Sequence, residues 1–196
     1  MGTDISVHIE KRNKETGKWE DLYLYRKNKD GEFERCFIYP GRNYELFSLL
    51  SEVNSFHWPL SNPGYLVEPR GLPEDISDYT RECWGDGTNY FGATWYDYQE
   101  LSTYTHLLNE ANKMMNEKNA RIKELEKEVK KLNKELKKSY GKKDDDWEEV
   151  EYLDDDEDNV IDSLNGFMSC IDNVLDGCNM FNPKQGEVRI VIWFDN

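Results

Sequence analysis

Three short stretches hold the residue types that could do chemistry together: Arg70-Gly71-Leu72-Pro73-Glu74-Asp75, Trp84-Gly85-Asp86-Gly87-Thr88-Asn89-Tyr90 and Thr94-Trp95-Tyr96. Arg70 offers a planar guanidinium that forks onto a phosphate or a carboxylate. Asp75 and Asp86 offer carboxylates and Thr94 a hydroxyl. Trp84, Tyr90 and Trp95 offer aromatic faces on which a planar base can stack while its polar edge is matched. This set predicts a pocket for an anionic, aromatic small ligand. A structural reading competes with it: Arg70 bonds Asp75 or Asp86 to fix the loop, and Trp84 and Trp95 plug the core. A third reading makes Asp75 and Asp86 the carboxylates of a hydrolase.

Other chemistries find little support. There is no Gly-x-x-x-x-Gly-Lys-Ser/Thr loop, no Gly-x-Ser-x-Gly elbow and no His-Glu-x-x-His, so the familiar nucleotide hydrolases, serine hydrolases and zinc proteases are set aside. His8 lies in a strand pattern and His106 in a helix pattern, so both read as structural or solvent-facing rather than as bases. Cys36, Cys83, Cys170 and Cys178 contain no Cys-x-x-Cys pair and read as reduced thiols. The acidic run imitates a calcium loop at Asp154, Asp156 and Asp158. It fails where Asn159 stands in place of glycine and Asn165 in place of the closing glutamate. No catalytic residue, metal site or cofactor is expected.

The elements that must position these residues are readable. Ile5, Val7 and Ile9 alternate with Ser6, His8 and Glu10, the period of a strand with one buried face. Leu22 to Arg26 and Phe33 to Tyr39 flank Asp30-Gly31 as a hairpin. Asn43 caps a helix carrying Leu46, Phe47, Leu50 and Val53. Residues 55 to 94, punctuated by Pro59, Pro63, Pro69 and Pro73, read as mostly irregular chain held by aromatic anchors including Trp58 and Tyr65. Asp97-Tyr98-Gln99-Glu100 has capping-box form. Behind it Leu101, Tyr104, Leu108, Ala111, Met115, Lys118, Ile122, Leu125, Val129, Leu132 and Leu136 fall on alternating spacings of three and four, a coiled-coil seam over a helix from about Tyr98 to Tyr140, with Gly141 placed to end it. A second amphipathic helix carries Val160, Ile161, Leu164, Phe167, Met168, Ile171, Val174 and Leu175 up to Gly177. The run from Val188 to Phe194 reads as a central strand buried on both faces.

The predicted fold is therefore α+β, an antiparallel-rich sheet uniting the N- and C-terminal strands, packed by short helices and carrying a long coiled-coil helix. Residues 1–97 and 176–196 form the globular domain and residues 98–175 a helical insertion. The seam predicts a homo-oligomer, most simply a dimer, through Leu108, Met115, Ile122, Leu125, Val129, Leu132 and Leu136. A formal charge of −15 on 196 residues argues against duplex nucleic acid as a partner. Charge is also segregated: residues 113–143 carry 12 Lys or Arg and 5 Glu, residues 144–158 carry 11 acids and no base. No run approaches the roughly 18 apolar residues of a membrane span, and the start lacks a signal-peptide pattern, so the expected setting is the cytoplasm. Met1-Gly2-Thr3-Asp4-Ile5-Ser6 matches the myristoylation pattern only loosely.

Several motifs together resemble a family of small proteins recurrent in bacteriophage and prophage genomes. They are Asp4-Ile5-Ser6-Val7-His8-Ile9-Glu10, Gly41-Arg42-Asn43-Tyr44-x-Leu46-Phe47, Arg70-Gly71-Leu72-Pro73-x-Asp75-x-Ser77, Trp84-Gly85-x-Gly87, Glu100-Leu101 and Val188-Arg189-x-Val191-x-Trp193-Phe194-Asp195-Asn196. The resemblance covers the globular part, and residues 101–158 look like an insertion. The family's His-Ser-x-Ser-Trp stretch is replaced here by Asn89-Tyr90-Phe91-Gly92-Ala93-Thr94-Trp95, which removes the histidine that acid-base or metal chemistry would use. The resemblance implies a viral accessory protein in a bacterial host's cytoplasm. The first functional expectation is a non-catalytic ligand binder that sequesters a nucleotide-derived signal of host immunity. The second is an interaction protein whose coiled coil and acidic segment dock on a host or phage protein.

Overall fold

The computed structural model describes residues 3–38, 40–51, 66, 68–140 and 157–195. Met1 and Gly2, the expected anchors Trp58 and Tyr65, the helix stop at Gly141 and the acidic run up to Asp156 lie outside the described residues.

The fold is α+β. Strands β1 (Asp4–Arg12), β2 (Trp19–Leu22), β5 (Tyr90–Asp97) and β6 (Val188–Asp195) form one antiparallel sheet in the order β2-β1-β6-β5, while β3 (Tyr25–Lys27) and β4 (Phe33–Arg35) form a separate hairpin. The two chain ends share the sheet, with Ile5 opposite Phe194, Val7 opposite Ile192 and Ile9 opposite Ile190. This register follows from alternation. Ile5, Val7, Ile9, Val188, Ile190, Ile192 and Phe194 all face one core, and a one-residue slip would turn every one of them out of it. Val191 and Trp193 face the opposite side and are equally buried, so β6 is covered on both faces.

Helices α1 (Tyr44–Leu50), α3 (Tyr98–Tyr140) and α4 (Glu157–Gly177) cover the first face. Asn43 caps α1 by accepting from the Leu46 N–H at 2.9 Å, and its amide donates to the Ser163 hydroxyl on α4. The apolar face of α4 supplies Leu164, Phe167, Met168, Ile171, Val174 and Leu175 to the core, and Leu101 of α3 joins them. Asn109 and Asn165 exchange amide hydrogen bonds at 2.8 and 2.9 Å where α3 crosses α4. Tyr98 donates to Asp172 at 2.8 Å; burial, then this carboxylate, push its hydroxyl up to about 12. At Gly177, the last residue of α4, a Cβ would collide with the Leu24 side chain, so glycine lets the two pack closely.

The second face is covered by α2 (Asp78–Trp84) and the segment leading into it, through Leu72, Ile76, Cys83 and Trp84. Within the mostly irregular chain expected up to Thr94, the described residues hold two short elements that were not expected. Ser77 accepts from the Thr80 N–H to start a seven-residue helix, and β5 begins at Tyr90 with an irregularity between Phe91 and Thr94. Both were obscured by prolines and glycines nearby. The expected strand Leu22–Arg26 is likewise split between β2 and β3, and of the strand expected over Phe33–Tyr39 the described residues up to Ile38 form strand only over Phe33–Arg35. Arg35 ties this hairpin to the domain, reaching Asp21 at 2.5 Å between the rings of Tyr23 and Tyr79.

Candidate functional site

On the second face, at the end of the sheet where β5 turns into α3, lies an open cleft of about 620 Å³. Trp19, Arg70, Trp95, Glu100, Tyr104 and Arg189 are the lining residues that give it character. β5 supplies Trp95, β6 supplies Arg189, β2 supplies Trp19, and the first turns of α3 supply Glu100 and Tyr104.

Arg70 is held three ways. Its backbone N–H donates to the Thr94 hydroxyl at 3.2 Å, and its guanidinium lies over the Trp95 ring at 4.7 Å. Its two terminal nitrogens fork onto Glu100, at 2.7 Å for Nη1 and Oε2. Neither Asp75 nor Asp86 is its partner. Glu100 strengthens the charge on Arg70, whose pKa is raised against the opposing effect of burial. The capping box is correspondingly half-formed: Asp97 accepts from the Gln99 N–H at 2.9 Å, whereas Glu100 turns to Arg70.

Arg189 is the deeper charge, 4% exposed. It donates from Nε to Glu10 at 2.7 Å, from Nη1 to Asp75 at 2.6 Å and from Nη2 to the Asp75 carbonyl at 2.9 Å, and it lies over the Trp19 ring at 4.1 Å. Glu10, fully buried, also accepts from the Ser77 N–H at 2.7 Å, and Asp75 accepts from the Trp19 indole at 2.9 Å. The segment from Asp75 to Ser77 is thereby fastened to the strands beneath it. Burial pushes the Asp75 carboxyl up, but Arg189 and Trp19 outweigh it and leave its pKa below the ordinary value.

Of the residues expected to form one pocket, the structure thus brings Arg70 and Trp95 together in the cleft, while Thr94 is buried beneath the Arg70 backbone and Asp75 is bonded to the lining residues Trp19 and Arg189 without lining the cleft itself. Trp84 and Tyr90 lie elsewhere, packed on Trp193 with ring centroids 5.3 and 5.8 Å away. Trp193 is four residues along β6 from Arg189, roughly 13 Å at the rise of a strand. A second cavity, of about 380 Å³, is lined there by His8, Cys83, Tyr90 and Trp193. His8 stacks on Trp193 at 4.5 Å. Asp86 is exposed and accepts from the Thr88 backbone and hydroxyl in the following turn. Asp75 and Asp86 are thus held by different partners, Arg189 and Trp19 for the first and Thr88 for the second. Among the described residues, no group of three or more His, Cys, Asp or Glu is arranged to hold a metal ion.

Sequence reasoning missed Glu10, Trp19 and Arg189. Arg189 carried a signal, being a lone charge within an apolar strand, where burial demands a partner. Glu10 stands directly opposite it in register.

The other candidate surface is on α3, which at 43 residues is about 65 Å long. Leu101 is buried and Leu108 packs on the core, but Met115, Ile122, Leu125, Val129, Leu132 and Leu136 are 43–61% exposed. The helix is anchored by its first turns and leaves the rest of its apolar seam open. No helix among the described residues is long and apolar enough to cross a membrane.

No protein family, curated protein or solved structure matches the chain. Function must be argued from these two surfaces.

Proposed function

We propose that the protein acts by association rather than by catalysis, as an interaction protein whose α3 docks against a further helix and so makes the chain a homo-oligomer, most simply a dimer. The observation that carries this reading is the open seam from Met115 to Leu136. Six large apolar side chains in contiguous heptads are a far larger exposed stripe than the scattered apolar residues of an ordinary surface. The motif resemblance extends the proposal to an accessory protein of a bacteriophage, acting in the cytoplasm of a bacterial host on a host or phage protein. The test is sedimentation of the full chain beside a Leu125→Glu/Leu132→Glu variant. The reading expects the parent to associate and the variant to be monomeric with unchanged near-UV circular dichroism. Equal masses contradict it.

A second reading, capture of a small ligand by the globular part, is favoured by one observation: the cleft brings two indoles and two arginines into one open space. A nucleotide-derived signal of host immunity is the ligand proposed from the sequence. The geometry bears on its charge, because each arginine is already matched by a carboxylate, so a phosphate would compete with Glu100 for Arg70. Native mass spectrometry of protein from cells with active immune signalling tests it; a retained small mass lost in Arg70→Ala supports capture, and no retained mass contradicts it.

A further inference from the structure

The open seam has a residue pattern that specifies more than association. With Leu101 and Leu108 taken up by the core, the free part begins at Met115, and its inward positions follow in two sets. Met115, Ile122, Val129 and Leu136 occupy the a positions of the heptad, while Lys118, Leu125 and Leu132 occupy the d positions. β-branched residues at a with leucine at d suit a parallel, two-stranded coil. There the knob at a lies alongside its hole and the knob at d points across it. Ile122 and Val129 against Leu125 and Leu132 is that arrangement in the middle of the free seam.

One charge pair fits the same orientation. Arg121 falls at a g position and Glu126 at an e position, and in a parallel, in-register pair each g residue faces the e residue five positions on in the second copy. Arg121 now bonds Glu124 of its own helix at 2.8 Å with both side chains more than half exposed, so it can reach a second carboxylate without losing a buried contact.

We infer that α3 pairs with α3 of a second copy as a parallel, in-register, two-stranded coiled coil over about Met115 to Leu136. This rests on the proposal that the seam mediates association and adds its partner, strand number and direction. It carries a consequence for the cleft. Glu100 and Tyr104 lie on the first turns of α3, about 22 Å along the helix from Met115 in the case of Glu100. A parallel pair puts both globular parts at the same end of the stalk, so the two clefts are displayed together. A target bearing two sites would be gripped with the avidity of a bivalent binder.

The test is disulfide trapping in the full chain, in a Cys170→Ser background because Cys170 is the exposed native thiol. Lys118→Cys and Leu132→Cys place thiols near opposite ends of the free seam, and Lys127→Cys places one on the outer face. In a parallel pair identical d positions face each other closely enough to bridge. The expected result is a covalent dimer from Lys118→Cys and from Leu132→Cys on mild oxidation, and none from Lys127→Cys. If the parent sediments as a dimer but neither seam variant bridges to itself, the parallel inference is overturned and association stands. A trimeric mass overturns the strand number, and a monomeric parent overturns the inference together with the proposal beneath it.

Discussion

Arg70 and Arg189 both lie over indole rings, and burial separates their roles. Arg189 is enclosed between Glu10 and Asp75, so removing it strands Glu10 in the core. Arg189→Met is expected to cost about 3–5 kcal/mol in urea denaturation, whereas Glu10→Met/Arg189→Met should stay much closer to the parent because no buried charge is left alone. A single variant as stable as the parent would contradict this assignment. Asp75 adds a pH dependence. Its pKa is lowered in the folded state, so its stabilisation is complete above the unfolded value of about 4 and is lost as pH falls through the folded one. The stability difference between parent and Asp75→Asn should therefore shrink below about pH 4 in denaturation series; a constant difference would show that the carboxylate is not held by Arg189 and Trp19. At this scale the sequence was partly legible. Arg70 and Trp95 stand out by type, but the partner of Arg70 is 30 residues away on a helix, and nothing in local spacing points to Glu100.

At the scale of elements, strong periodicity was the readable signal. The apolar run of β6 and the start of α3 at Tyr98 follow from it and are observed, and β1 forms where the alternation places it, but His8 and Glu10 on its expected open face are buried as well, so β1 is covered on both faces there. Of the two seven-residue helices, α1 was readable from its Asn43 cap and apolar spacing, but α2 was not, because its start depends on the Ser77 cap and on the hold of Glu10 on the Ser77 backbone, a contact between distant parts of the chain. Nor did periodicity tell how the seam of α3 is shared. The spacing is uniform through five heptads, yet α4 and the core take the first two, because the Asn109 and Asn165 amides and the packing of Leu108 engage α3 there. Lys118 then sits close to where the free seam begins, a polar residue at a position that otherwise takes leucine. Lys118→Leu should tighten association by at least about tenfold, since an additional buried leucine is worth roughly 1.5–3 kcal/mol. Dilution series followed by sedimentation would show this; weaker association would place Lys118 outside the seam.

For the whole molecule, one sheet fastens the two chain ends and one helix leaves it. Deleting Ile192 to Asn196 removes buried Trp193 and Phe194, each worth about 3–5 kcal/mol against a total of about 5–15, so the truncated chain should fail to fold, as read by loss of near-UV circular dichroism. A truncated chain that melts like the parent would contradict the closure of the sheet by its ends. The proposed association rests on α3, because nothing among the described residues covers its distal seam. The most direct measurement is the mass of the full-length protein by sedimentation equilibrium at micromolar concentration. Association through α3 predicts twice the chain mass of 23.2 kDa, falling to a single chain in Leu125→Glu/Leu132→Glu. A parent that sediments at 23.2 kDa across the concentration range would contradict the account at its centre.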